Sequence, residues 1–257
     1  MFDAMSSVAL SLTVGIDGRS YMVDTSTWID LSLPITDRAT VRAFHLPPAS
    51  FVPFRMGSFI GSVEEGGPVR CDVVTLAPHG DGTHTECVGH VGGKGYSVLN
   101  AIDVPMMVAE IITVPLRTIA DGDRVIMPDD LRAAWRAART DVLIVRTSPN
   151  DVLKKTVDHS GTNPAYVAID AMQVIVDRGV RHLLIDLPSV DREEDGGALA
   201  AHKLFWDWPA APRTDKTITE LIYVPDTVAD GLYALALNVA PFDGDAAPSR
   251  PMIARYV

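Results

Sequence analysis

Two short apolar runs with a helix-like segment between them constrain the fold of this chain more than any other feature. Residues 141–147 read DVLIVRT, and residues 182–187 read HLLIDL. Strands that are buried on both faces have this near-continuous apolar character. The segment 164–178 is predicted to be a helix that ends at Gly179, because glycine is common just after a helix. A helix between two buried strands predicts a central sheet with helices packed outside it.

Both ends of the chain are rich in strand-like segments. Residues 8–14 alternate apolar and small polar residues, and an Asp-Gly pair separates them from β-prone residues at 21–30, which predicts a hairpin. Residues 233–239 and 252–257 are predicted to be two closing strands. The prediction is therefore an α/β fold with one mixed-sheet domain over residues 1–257, helices packed outside and strand-rich termini.

The remaining segments add strands, a helix and a loop. Residues 73–76 and 106–115 are predicted to be strands, and residues 47–68, rich in Pro, Gly and aromatic side chains, to be a long loop that covers a site. Pro128 and two aspartates predict a helix start, since carboxylates favour the positive end of the helix dipole. The predicted apolar face of that helix consists of Leu131, Ala134, Trp135 and Ala138.

Composition excludes several classes of protein. The chain has 22 Lys and Arg against 33 Asp and Glu, a net charge of −11, which argues against nucleic acid or an anionic membrane as the main partner. Cys71 and Cys87 are too few for a disulfide framework. The first residues contain no basic side chain before their apolar stretch, unlike a secretory signal. We therefore expect a soluble, cytoplasmic protein.

A cluster of histidines is the strongest functional signal. Residues 79–90 read HGDGTHTECVGH and contain His79, His84, Glu86 and His90. Glycines allow tight folding of this segment, and the spacing of His84 and Glu86 places both on one face of an extended strand. Imidazole with carboxylate suits Zn²⁺, Mn²⁺ or Fe²⁺, so we interpret the cluster as a metal site rather than a loop with incidental histidines. Asp81 is interpreted as a turn residue and Cys87 as a small packed residue.

The same segment resembles the metal-binding signature of the cyclase family of metal-dependent hydrolases, which includes bacterial kynurenine formamidases and isatin hydrolases. Residues 82–84 match the Gly-Thr-His core of that signature. Glu86 stands where the family has a metal-bridging aspartate, and His90 matches the last histidine, which the family uses in acid–base catalysis. His79 precedes the core by one residue more than is usual. The two departures leave the number of metal ions open.

The resemblance extends over most of the chain and implies further site residues. The matching segments are Asp30-Leu31-Ser32, residues 185–191, Ala201-His202-Lys203, Thr219-Glu220-Leu221 and Pro248-Ser249-Arg250-Pro251. By this resemblance, His202 is a further histidine ligand and Glu220 a second acidic ligand. Without the resemblance, Asp186 and Asp191 are interpreted as turn residues at strand ends. Ser189 is left open between capping a turn and binding substrate.

The resemblance implies hydrolysis of a small amide, an N-formyl aromatic amine such as N-formylkynurenine or a lactam such as isatin. The implied metal ligands are His79, His84, Glu86, His202 and Glu220. One or two ions, Zn or Mn, would lower the pKa of bound water from 15.7 toward roughly 7, so that hydroxide attacks the carbonyl while His90 protonates the leaving nitrogen. The alternatives are an ester or lactone hydrolase with the same site and a non-catalytic metal-dependent binder of a small ligand. We expect a homodimer or larger assembly and no separate organic cofactor.

Aromatic residues suggest where a substrate ring would bind. The interval between His202 and Glu220 is longer than the family leads us to expect, and residues 205–209 (FWDWP) fill it. We interpret this insertion as a loop beside the site that influences substrate choice. The aromatic residues that suit a flat ring are Phe51, Phe54, Phe59, Trp206 and Trp208, although each tryptophan also suits the core. His45, His159 and His182 match no family ligand.

Overall fold

The structure is a computed structural model that describes residues 12–16, 18–38, 41–135 and 140–257. Its strands are β1 (Leu12–Ile16), β2 (Arg19–Val23), β3 (Ile29–Asp30), β4 (Ser50–Pro53), β5 (Arg55–Met56), β6 (Phe59–Ile60), β7 (Asp72–Thr75), β8 (His84–Cys87), β9 (Met106–Pro115), β10 (Arg117–Thr118), β11 (Arg124–Ile126), β12 (Val142–Ser148), β13 (Tyr166–Val167), β14 (His182–Ile185), β15 (Thr217–Glu220), β16 (Gly231–Val239) and β17 (Ala246–Ala254). Its α-helices are α1 (Gly89–Gly92), α2 (Pro128–Ala134), α3 (Ile169–Asp177) and α4 (Ala200–Phe205), and its 3₁₀ turns are Pro78–Gly80, Val98–Asn100 and Val152–Lys155.

The main sheet is mixed and closes on itself. Its strand order is β16-β9-β12-β14-β15-β8-β17-β3, and β16 also pairs with β17. Seven strands therefore form a barrel-like ring, with β3 added outside it. Strands β9, β12, β14 and β15 run parallel to one another, whereas β8, β16 and β17 pair antiparallel with their neighbours. The predicted mixed α/β fold with a central sheet is confirmed.

The apolar strands separate two cores because successive side chains of a strand point to opposite faces. Leu143 and Val145 pack with the helices, in a cluster that includes Trp135, Met172 and Phe205. The alternate residues of the same strand, Val142 and Ile144, pack instead with β9 and β16 inside the ring. Burial on both faces explains the continuous apolar run at 141–147.

Several element boundaries differ from the sequence predictions. The helix predicted from residue 164 begins at Ile169, because β13 before it pairs in parallel with β11. The predicted loop at 47–68 contains β4, β5 and β6, and β4 pairs with β7. Strand β17 begins at Ala246, six residues before the predicted start at 252, because its first three residues pair with β8 and the rest pair with β16.

The N-terminal hairpin is present as β1 and β2, which pair antiparallel. Residues 8–11 of its predicted first strand, and Ala138 of the predicted apolar helix face, lie outside the described residues. None of the helices in the described segments combines the length and apolar character that a membrane crossing requires. The assignment of residues 1–257 to a single domain stays a prediction.

Candidate metal centre

Strand β8 supplies the centre of the site, and its neighbour β15 in the sheet adds a further donor. His84 and Glu86 lie two residues apart on β8, on one face and fully buried. Glu220 on β15 is the register partner of His84, and directly opposite residues share a face of the sheet. The distance from His84 Nε2 to Glu220 Oε2 is consequently 3.4 Å. The sheet thus brings together two segments that are far apart in sequence.

His79 reaches the site from the 3₁₀ turn that precedes β8. Its Nδ1 lies 3.2 Å from Glu86 Oε2. The additional residue of this segment is accommodated in the turn, where the Asp81 carboxylate accepts the backbone N–H groups of Ala77 at 2.9 Å and Ala49 at 3.2 Å. Asp81 therefore has the structural role expected from the sequence, and His79 still faces Glu86.

His202 lies on α4, and each of its ring nitrogens lies near a carboxylate oxygen. Its Nε2 lies 3.0 Å from Glu86 Oε1 and 3.7 Å from Glu220 Oε1. Its Nδ1 lies 2.6 Å from Asp191 Oδ2, and Asp191 also accepts the backbone N–H groups of Ala201 and His202. Since a carboxylate only accepts, Nδ1 carries a proton toward Asp191, and Nε2 is the nitrogen that would exchange its proton for a metal ion. Asp191, interpreted from sequence as a turn residue, orients this ring.

His90 and Asp245 lie at the open side of the cluster. His90, on α1, has its Nδ1 at 3.7 Å from Glu86 Oε2 and 3.5 Å from Asp245 Oδ2. The rings of His79 and His90 are 4.3 Å apart. The side chains of His79 and His90 are 22% and 25% exposed, whereas those of His84 and Glu86 are completely buried. Sequence analysis missed Asp245; its position just before the matched 248–251 segment was the available signal.

The donor atoms fit a metal ion. Among the described residues, the buried atoms His84 Nε2 and Glu86 Oε2 make no well-formed hydrogen bond, and their neighbours Glu220 Oε2 and His79 Nδ1 lie at 3.4 Å and 3.2 Å. Leaving a buried polar atom unpaired costs about 1–3 kcal/mol, and a metal ion would satisfy both atoms. Within the described segments, two groups have donor atoms that all lie within 4.8 Å of one another: His79, Glu86 and His90, and His84, Glu86 and Glu220. Glu86 belongs to both groups, so its position suits a carboxylate shared by two ions. The geometry leaves His90 suited to either a ligand or a proton-transfer role.

Contacts between histidines and carboxylates shift the pKa values of both kinds of group in the cluster. Burial acts to lower the pKa of His79, but the carboxylates of Asp245 and Glu86 raise it to about 10. Burial likewise opposes protonation of His202, but Glu86 and Asp191 hold its pKa well above the usual value. Burial would raise the pKa of Glu86, yet His202 and His90 hold it well below its usual range. A bound metal would replace these protons, since ligands must be deprotonated.

The insertion at 205–209 packs beside the histidines. Trp206 is fully buried, its ring lies 5.5 Å from that of His202, and its indole N–H donates to the Lys216 carbonyl at 3.1 Å. Trp208 meets Tyr96 edge to face, next to Gly92 of α1. Trp206 is thus a core residue. Phe54 and Phe59 pack on each other, with ring centroids 6.1 Å apart. The use of these aromatic residues by a substrate stays a prediction.

Comparisons with known proteins show which proteins this chain is similar to. The family model "Putative cyclase" matches residues 29–192. Kynurenine formamidases of Bacillus thuringiensis and Bacillus cereus are 30% and 29% identical over 230 residues, which cover 89% of this chain and 98% of each relative. The crystal structure of an isatin hydrolase bound to the product analogue thioisatinate superposes with a TM-score of 0.65 at 15% identity, covering 89% of this chain and 92% of that one. A structure described as a potential metal-dependent hydrolase with cyclase activity gives a TM-score of 0.62 at 18% identity, covering 89% and 97%.

These matches confirm the resemblance that was based on residues 79–90. The family model spans well over half of the chain, and the curated relatives match along nearly their whole length. The solved structures share the fold. The chain therefore belongs to the cyclase family of metal-dependent hydrolases.

Proposed function

We propose that this enzyme uses the cluster around Glu86 to hydrolyse a small aromatic amide, with an aryl formamide such as N-formylkynurenine as the first candidate substrate. The chain is a hydrolase of carbon–nitrogen bonds other than peptide bonds. The observation that carries the proposal is the fully buried Glu86, which is shared by two groups of donor atoms and has an unpaired oxygen. A formamide ranks before a lactam because the formamidases match along their full length, whereas the isatin hydrolase shares the fold alone.

In the proposed reaction, one set of residues holds the metal and a partly exposed histidine transfers protons. His79, His84, Glu86, His202 and Glu220 would hold one or two ions, with Zn or Mn as the proposed metals. When bound, the metal polarises the substrate carbonyl and acidifies water. Water adds to the formyl carbon, the carbon–nitrogen bond breaks, and formate and an arylamine leave. His90, at the exposed side, takes the proton from the attacking water and gives it to the leaving nitrogen.

An ester or lactone hydrolase with the same site is the second candidate. The open side of the cluster suits an ester as well as an amide. His79 and His90 are the partly exposed members, and any small carbonyl compound would approach there. A leaving alcohol needs the proton from His90 less than a leaving amine does. Comparison of ester and amide turnover in a His90 variant therefore separates the two candidates.

The test is a substrate screen on purified protein with defined metal content. Metal-free protein should be inactive, and Zn²⁺ or Mn²⁺ should restore hydrolysis of N-formylkynurenine; isatin and phenyl acetate serve as the lactam and ester probes. His84→Ala should abolish turnover, whereas His159→Gln, a histidine outside the cluster, should retain it. Metal-loaded protein that hydrolyses none of the three probes would contradict the proposal.

Assembly and location are proposed in the same way. We propose a homodimer or larger assembly that acts in the cytoplasm on a small molecule, without nucleic acid or membrane. Light scattering on purified protein measures the mass directly. A mass of 27.7 kDa, that of one chain, would exclude the proposed assembly.

A further inference from the structure

Asp245 contacts two histidines of the cluster through one oxygen. Its Oδ2 lies 2.8 Å from His79 Nε2 and 3.5 Å from His90 Nδ1. The backbone fixes its position, because the Asp245 carbonyl accepts the N–H of Cys87 at the end of β8, at 2.9 Å. The side chain is 44% exposed, so this carboxylate lies at the opening of the site rather than among the buried donors.

Each of the three proposed histidine ligands has one ring nitrogen that faces a hydrogen-bond acceptor and a second ring nitrogen that faces the site. His84 directs Nδ1 to the Gly82 carbonyl at 3.2 Å, and His202 directs Nδ1 to Asp191 at 2.6 Å. His79 is turned the other way: Nε2 faces Asp245 and Nδ1 faces Glu86. In each case the acceptor holds one ring nitrogen protonated and leaves the other for a metal. Such partners fix ring orientation, and their loss typically lowers metal affinity 10–100-fold.

Asp245 differs from the other two acceptors because it also reaches His90. We propose that Asp245 is a positioning residue that fixes His79 as a ligand through Nδ1 and holds the His90 ring beside it at the opening of the site. One carboxylate thus couples the ligand set to the residue proposed to transfer protons. The inference rests on the proposed metal site, and it assigns Asp245 neither a ligand nor a proton-transfer role.

The test compares zinc affinity in matched variants by competition with a chromophoric chelator. Asp245→Ala should bind zinc about 10–100-fold more weakly than the unmodified protein. Asp245→Asn should recover part of this loss, since an amide oxygen still accepts a hydrogen bond. Asp243→Ala, which removes an exposed carboxylate two residues away, should bind normally. Circular dichroism and the melting temperature of the metal-free proteins establish that all variants fold.

A double-mutant cycle with His79→Ala shows whether Asp245 acts through His79. The effect of Asp245→Ala on zinc affinity should largely vanish once His79 is absent. At saturating zinc, Asp245→Ala should still lower kcat more than it raises KM, because His90 has lost its neighbour. Unchanged zinc affinity in Asp245→Ala, or an equal loss with and without His79, would overturn the inference while leaving the proposed function intact. Failure of the unmodified protein to bind zinc or manganese would remove both.

Discussion

His84 and Glu220 lie directly opposite each other on β8 and β15, with 3.4 Å between Nε2 and Oε2. The two residues belong to one site only because these strands pair antiparallel in this register. A shift of one residue would move Glu220 to the other face of the sheet and away from His84. The candidate metal centre therefore depends on the strand pairing as much as on the histidine motif.

Removal of His84 and removal of His90 should have different consequences. His84→Ala should lose metal and activity together, because it removes a fully buried donor. His90→Ala should keep its metal and its fold but lose about 10²–10⁴-fold in kcat if His90 transfers protons. Metal analysis and kcat of both variants distinguish the roles. Equal loss of metal in both would make His90 a ligand.

Metal should stabilise the fold, because the unfolded chain lacks the assembled site. Binding at 100 times the dissociation constant adds about 2.7 kcal/mol to the free energy of unfolding. A chelator should therefore lower the melting temperature, and excess Zn²⁺ or Mn²⁺ should restore it. His84→Ala serves as the control, and its melting temperature should respond much less to either addition. Identical melting curves for metal-loaded and metal-free protein would contradict a tight site.

Gly82 and Gly93 offer a matched pair for testing the turn before β8. Both have φ of +71°, a region that disfavours alanine, and the ψ of −154° at Gly93 is found almost only for glycine. A Cβ at Gly82 would lie 2.8 Å from the Leu33 carbonyl oxygen, whereas a Cβ at Gly93 meets nothing within 4 Å. Both substitutions should therefore lower stability, but Gly82→Ala alone should also weaken metal binding, because it displaces the turn that precedes β8. Denaturant unfolding and metal titration of the two variants check this, and equal effects would contradict it.

His182 should make the protein less stable in mild acid. Burial, together with the nearby Arg181 charge, lowers the pKa of His182 to about 4, from an ordinary value of 6.5. Between pH 4 and pH 6.5 the unfolded chain binds a proton at His182 and the folded chain does not. The contribution of neutral His182 to the free energy of unfolding is therefore complete above pH 6.5 and is lost as the pH falls toward 4. The expected loss from this residue is on the order of 3 kcal/mol.

The measurement is urea unfolding at pH 7 and pH 5 with chelator present, so that metal release does not contribute. His182→Gln cannot titrate, and its amide can still bond Thr217, the partner of His182 Nδ1 at 2.9 Å. Its stability should fall less between the two pH values than that of the unmodified protein. His159, whose pKa burial also lowers to about 4, accounts for part of the remaining slope. An unchanged slope in His182→Gln would refute the assignment.

The sequence pattern predicted how site residues that are close together in sequence are arranged. His84 and Glu86 share a face because they are two apart on a strand, and that relation is visible in sequence. His202 and Glu220 look ordinary in sequence, and only family resemblance pointed to them, because pairing and helix docking bring them to β8. Asp245 was missed for the same reason. The helix predicted from residue 164 begins late because the pairing of β13 with β11 overrides local propensity.

The position of β8 in the closed ring has a consequence for synthesis of the chain. Its two neighbours are β15 at Thr217–Glu220 and β17 at Ala246–Ala254. During translation, β8 leaves the ribosome with both edges unpaired and keeps them so until β15 and β17 have been made. The nascent chain therefore cannot add Glu220 to the donors of residues 79–90 before β15 is made, and a product that terminates before residue 217 would expose the histidine strand to aggregation.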